Sequence, residues 1–222
     1  MKPIARIPLY AALATVLLAG CQRAPEEKDV EAATQTAAGI ADPAPPVTGR
    51  EAPQFQFSDD EIGLALAPTP GFTLHREPAD APSEGSWNGL AGPGVRGQPL
   101  LRLVLEGSGP GMAAELHIGT STDSHAVVTC LQPPEASIAG PSDEIRIDGQ
   151  PFRHFRAVDA GTGHYPPRTM DAYRSVRNER CIAIDLVVFP PLAKNSATTP
   201  PFDEATARAR LQEALAAVRI TR

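Results

Sequence analysis

Apolar and polar residues alternate most regularly in two stretches of the chain. From Leu100 to Glu106, Leu101, Leu103 and Leu105 share one face, the period of two that marks a half-buried strand. From Cys181 to Phe189, Ile182, Ile184, Leu186 and Val188 form one apolar face, while Ala183, Val187 and Phe189 load the other, which predicts a central strand covered on both sides. Shorter signals surround these two. The stretch from Ile62 to Leu74 reads as two strands broken by Pro68-Thr69-Pro70-Gly71, and Leu116 and Ile118 mark another strand. A glycine-rich loop is expected from Gly85 to Gly97. Thr122-Asp123 is positioned to cap a short helix running through Leu131 and ended by Pro133. Two hairpins follow. Ile145 and Ile147 lead into Asp148-Gly149, a pair suited to the positive φ of a tight turn, and the strand returns through Phe152 and Phe155. The second runs from Ala172 to Arg177, turns at Asn178-Glu179 and returns along the central strand. Beyond a proline loop, Asp203 starts a helix on which Ala207, Leu211, Ala214, Leu215 and Val218 make one stripe. These elements predict an α+β domain, mainly antiparallel sheet, with a C-terminal amphipathic helix packed on it.

The first twenty residues have a different pattern. Lys2 and Arg6 precede an apolar run from Ile7 to Ala19, as long as a signal h-region but too short for a hydrocarbon core of roughly 30 Å. The run ends in Leu18-Ala19-Gly20-Cys21, which resembles the lipobox of bacterial lipoproteins. The resemblance implies that residues 1–20 are a leader removed in maturation and that Cys21 receives a diacylglycerol on its thiol; in that family the freed amine is often acylated as well. Each buried methylene contributes about 0.8 kcal/mol, so several acyl chains on one cysteine anchor a protein stably where one chain would not. Gln22 at the following position resembles the outer-membrane sorting signal of enteric lipoproteins and implies a body facing the periplasm.

Residues 21–53 are Ala, Pro, Glu and Thr with almost no large apolar side chain, a composition that predicts a disordered linker stiffened by Pro25, Pro43, Pro45, Pro46 and Pro53. Residues 54–222 are enough for one α+β domain with a sizeable core. The 24 prolines and the 5% of aromatic residues predict a domain rich in loop. Loss of Lys2 and Arg6 with the leader takes the formal net charge from −6 to −8. That balance argues against nucleic acid as a partner, since it needs basic patches. The expected partners are the membrane, through the lipid anchor, and another envelope protein.

The order of a proline- and glycine-broken first hairpin, meandering strands, a final helix and a strand-like tail at Val218-Arg219-Ile220 resembles the Mog1/PsbP-like sandwich found in several bacterial lipoproteins. Asp159-Ala160-Gly161-Thr162-Gly163-His164-Tyr165, followed by Tyr173-Arg174-Ser175-Val176-Arg177 and Cys181, is similar to a pattern in secreted proteins of unassigned activity. An aromatic residue often follows the cysteine of that pattern, where Ile182 stands here. The resemblance implies a fold and no catalytic residue.

With Cys21 acylated, Cys130 and Cys181 remain as a pair in an oxidising compartment, which predicts a disulfide clamping the capped segment against the central strand. Pairing the second hairpin across Asn178-Glu179 sets Val176 opposite Cys181 and Arg174 opposite Ala183, leaving Asp185 diagonal to Arg174 on one face. A buried carboxylate needs such a partner, so an Arg174–Asp185 ion pair is expected. Gly92-Pro93-Gly94-Val95-Arg96-Gly97 matches G-x-G-x-x-G but stands before a strand, whereas a dinucleotide fingerprint follows a strand and opens a helix. The five histidines include no i, i+4 pair, and the chain has no G-x-S-x-G, H-E-x-x-H or S-x-x-K motif. The sequence therefore predicts a non-enzymatic binding or structural protein with no cofactor and no metal. The alternative is a small-ligand or metal-binding protein with a cleft near the Gly161 to Tyr165 loop, lined by His154, His164 and Tyr165; a hydrolase is a weaker third reading.

Overall fold

A computed structural model describes residues 54–77, 87–92, 94–134, 142–159, 168–191 and 200–221. The leader, Cys21 and the 21–53 linker lie outside these residues, as do His164 and Tyr165. In chain order the elements are β1 (Phe57–Asp59), β2 (Leu64–Leu66), β3 (Phe72–Arg76), β4 (Gln98–Leu105), β5 (Ala113–Ser121) and α1 (Ser124–Thr129). Then come β6 (Asp143–Ile147), β7 (Gln150–Asp159), β8 (Arg168–Arg177), β9 (Arg180–Phe189), α2 (Glu204–Leu215) and β10 (Val218–Ile220). They build a seven-stranded antiparallel sheet in the order β3-β4-β5-β9-β8-β7-β6 and a three-stranded sheet in the order β1-β2-β10.

The turns carry the backbone the residues suggest. Asp148 and Gly149 have φ of 48° and 80°, and Asn178 and Glu179 have φ of 48° and 57°. Positive φ at both central residues matches the twist of the flanking strands, and it pins the β8–β9 register with Arg174 opposite Ala183 and Val176 opposite Cys181. The second strand of this hairpin, β9, lies between β5 and β8. That position explains why both of its faces are apolar.

One face of the large sheet carries Leu101, Leu103, Leu116, Ile118, Ile184 and Leu186 into the main core. The three-stranded sheet adds Leu64 and Leu66 to it, and α2 adds Ala207, Leu211, Ala214 and Leu215. Helix α2 starts where Asp203 accepts the Thr206 amide at 2.7 Å, with Glu204 in its first turn to favour the positive end of the helix dipole. A fully buried leucine contributes about 1.5–3 kcal/mol, so Leu211 and Leu215 anchor this helix more than its alanines do. The opposite face carries two smaller clusters: Trp87, Ala126, Cys130, Cys181 and Ala183 in one, and Phe155, Ala157, Met170, Ala172 and Val187 in the other.

Four details differ from the sequence reading. Val218 belongs to β10, paired with Leu66, and not to the helix stripe. Helix α1 stops at Thr129 and leaves Leu131 outside it, because Cys130 is already its C-cap and is tied to β9. Strand β8 begins at Arg168, four residues before Ala172. The two strands on either side of Pro68-Gly71 join different sheets and do not pair with each other.

Candidate functional site

Residues 87–91 cross the face of the large sheet that α2 leaves open, and two glycines let them come close. A Cβ on Gly119 in β5 would stand 1.8 Å from the Trp87 carbonyl oxygen, and one on Gly97 would stand 2.2 Å from the indole Cγ. Trp87 is thus set between two positions with no side chain and is 3% exposed. Because the obstacle at Gly119 is backbone, Gly119→Ala is expected to cost about 1–3 kcal/mol by overpacking. Urea unfolding measures that loss. A red shift of the emission of Trp87, the single tryptophan of the chain, reports its displacement.

Beneath this segment lies the ion pair. Arg174 Nη1 donates to Asp185 Oδ1 at 2.6 Å and to the Tyr173 carbonyl at 3.0 Å, while Nη2 donates to Asn88 Oδ1 at 3.3 Å. The backbone N–H of Gly89 donates to Asp185 Oδ2 at 2.7 Å. Asn88 Oδ1 also accepts the Leu90 N–H at 2.7 Å, an Asx turn that fixes the segment's bend. Asp185 is 1% exposed and Arg174 6% exposed, so each needs the other: an isolated charge at that depth would be costly to bury. Asp185 therefore has two structural roles, neutralising Arg174 and receiving the segment that covers it.

Between residues 87–92 and α1 is a cleft of about 610 Å³, floored by Arg174 and the Cys130–Cys181 disulfide. The α1 wall is fixed at both ends. Asp123 accepts the amides of His125 and Ala126 at 2.9 and 3.2 Å, and the disulfide ties Cys130 to the start of β9. Leu90, Val95, Ala126, Pro133 and Pro134 supply apolar wall, and His125, Thr129 and Gln132 add polar groups to it.

A second polar cluster lies on the α2 face. Asp171 Oδ1 accepts from His154 Nε2 at 2.9 Å and Arg156 Nε at 3.4 Å, and Oδ2 accepts from Arg208 Nη1 at 2.7 Å. His154 stacks on Tyr173, their ring centroids 4.7 Å apart, and Gln212 Nε2 donates to the Tyr173 hydroxyl at 3.0 Å. Burial raises the Asp171 pKa, but the His154 hydrogen bond and the charges of Arg208, His154 and Arg156 outweigh it, leaving the carboxyl below its ordinary value of 3.8. Burial pushes the Tyr173 phenol up, with the Gln212 hydrogen bond a partial offset. On the other face, burial of Glu115 is likewise outweighed, here by His117 at 2.6 Å and by Arg102, and its carboxyl is held low.

Because the folded-state pKa of Asp171 is lowered, its ionised form supports the fold above the unfolded value and loses that support as pH falls. Asp171→Asn is therefore expected to reduce stability at neutral pH, and the gap to the unaltered protein should narrow as pH drops below about 4, near the ordinary value of 3.8. Urea unfolding at pH 7, 5, 4 and 3 checks this; a gap that stays constant with pH would show that the carboxylate's charge is not the cause.

The Gly161 to Tyr165 loop, beside which the histidine cleft is expected, lies outside the described residues. His154 does not line the space beneath Trp87; it is partnered by Asp171 on the opposite face, toward α2. His164 and Tyr165 lie outside the described residues. Arg174 and the two cysteines do come together at the cleft floor. The glycines of the G-x-G-x-x-G match lead directly into β4, and Gly97 serves Trp87 packing. Among the described residues, no three of His, Cys, Asp and Glu gather as metal ligands would. Trp87, Asn88 and Gly89 carry no sequence motif. Their one legible signal is a lone tryptophan next to Asn-Gly, in a chain with a glycine placed later at a strand position, Gly119. Compared with known proteins, the chain matches no family model and no curated protein.

Proposed function

We propose that this chain is a lipid-anchored component of the bacterial cell envelope, held by acyl chains on Cys21, with a folded body that binds another envelope component and performs no catalysis. The observation that carries this reading is the use of its three cysteines. One ends a lipobox-like leader, and the other two are joined in a disulfide between the end of α1 and the start of β9. Disulfides persist in the oxidising compartments that such a leader addresses. Gln22 supports an outer-membrane position facing the periplasm. The order of elements, with a broken first pair of strands and a terminal helix followed by β10, supports assigning the body to the Mog1/PsbP-like sandwiches.

A specific feature favours the second reading, a small-ligand-binding lipoprotein: the cleft beneath Trp87, which falls in the range of about 300–1,000 Å³ usual for small-molecule sites. The anchor is tested in living cells with an alkyne-bearing palmitate. The unaltered chain should take up the label and Cys21→Ser should not; equal labelling of the two would remove the proposed anchor.

A further inference from the structure

We propose that the cleft beneath Trp87 is a binding site for a small uncharged molecule with an apolar body and one carbonyl-type oxygen, as in an amide or ester. The inference deepens the small-ligand reading above and does not depend on the lipid anchor.

It rests on which hydrogen-bonding groups remain unused at the cleft floor. Asn88 is 7% exposed, and its side-chain oxygen faces two groups that can only donate, the Leu90 N–H and Arg174 Nη2. Those partners fix the orientation of the amide, so its NH₂ points elsewhere. No described residue accepts from that NH₂. Nor is it sealed inside the protein, since the described side-chain atoms both buried and unpartnered are Trp87 Nε1 and Thr221 Oγ1. Arg174 spends three of the five N–H groups of a guanidinium on Asp185, Tyr173 and Asn88. Behind these donors, Asp185 uses one oxygen for Arg174 and the other for Gly89. The floor thus offers donors and calls for an acceptor.

Charge narrows the class. Asp185 offsets the charge of Arg174 at 2.6 Å, so the floor as a whole is close to neutral. A carboxylate would meet little net attraction there and would lose its hydration. An ammonium group at the floor would meet the Arg174 and Asn88 donors, and its acceptors would have to come from His125, Thr129 or Gln132 on the walls. A neutral carbonyl oxygen accepts from Asn88 Nδ2 and the guanidinium edge, while its hydrocarbon lies along Leu90, Val95, Pro133 and Pro134.

The single tryptophan of the chain lines this cleft and serves as its reporter. The purified full chain is titrated with hexanamide, hexanoate and hexylamine, three probes sharing a similar apolar body, and Trp87 emission is followed. A saturable change with hexanamide is expected, with half-saturation at least tenfold lower than for the other two. Asn88→Asp keeps the oxygen that Leu90 and Arg174 need but removes the NH₂, and should weaken hexanamide at least tenfold and favour hexylamine. Ala91→Phe fills the cleft without touching its polar floor and should abolish the response, which keeps the test decisive if Asn88→Asp fails to fold. No saturation with hexanamide, an equal response to all three probes, or a response surviving Ala91→Phe would overturn the proposal. Palmitate labelling at Cys21 reads the anchor separately, so failure of the site and failure of the anchor are distinguishable.

Discussion

Replacing both Cys130 and Cys181 with alanine is expected to lower the melting temperature by about 8–16 °C. The bridge closes a sequence separation of 51 residues. In the chain-entropy account, opening a loop of that size costs about 4 kcal/mol. For a folded unit of this size each kcal/mol moves the midpoint by about 2–4 °C. The loss should be concentrated around α1, a six-residue helix too short to persist alone and held by the Asp123 cap and the disulfide. Thermal melts followed by circular dichroism make the comparison. Reductant should produce the same shift in the unaltered protein and no further shift in the double variant. A loss below about 2 °C would mean that the surrounding packing, and not the bridge, fixes α1 to the sheet.

The second large effect concerns the charges under residues 87–91. Arg174→Met leaves Asp185 buried with the Gly89 amide as its remaining hydrogen-bond partner among the described residues, and breaking a buried pair in this way typically costs about 3–5 kcal/mol. Adding Asp185→Leu removes the stranded charge but orphans the Gly89 N–H, a penalty of about 1–3 kcal/mol. The double variant should therefore be more stable than Arg174→Met alone, though less stable than the unaltered protein. Urea unfolding of both single variants and the double gives the coupling energy. Strict additivity would show that the two side chains do not act as a pair.

Much of this centre is legible in the sequence because it depends on local rules. Asp148-Gly149 and Asn178-Glu179 fix two hairpins, and the second hairpin's register places Arg174 diagonally from Asp185. The alternation in β4 and β9 follows from burial on one face and on two. Asp123 and Asp203 cap helices through their own carboxylates. In each case the residues that decide the outcome are within a few positions of one another.

What stays illegible depends on contacts between distant residues. The Gly89 amide reaches an acceptor 96 residues away in Asp185, and no spacing within 87–91 announces it. Gly97 reads as the end of a loop and Gly119 as a strand weakness until Trp87 is seen above them. Asp171 gathers His154 and Arg156 from β7 and Arg208 from α2, so the His154 assigned by sequence to a ligand pocket is held by a carboxylate on the other side of the sheet. Strand β1 has three residues, too few to show a period, and exists through its pairing with β2. Val218 continues the helical stripe in sequence, yet the chain leaves α2 at Ala216 and Val218 pairs with β2.

The intact mass of the native product, read before and after thiol alkylation, tests the envelope assignment most directly because it accounts for all three cysteines at once. The expected product begins at Cys21, carries the added mass of its acyl chains and takes up no alkylating agent until it is reduced, after which it takes up two. A product that retains residues 1–20, or one that exposes a free thiol at Cys21, would contradict the assignment.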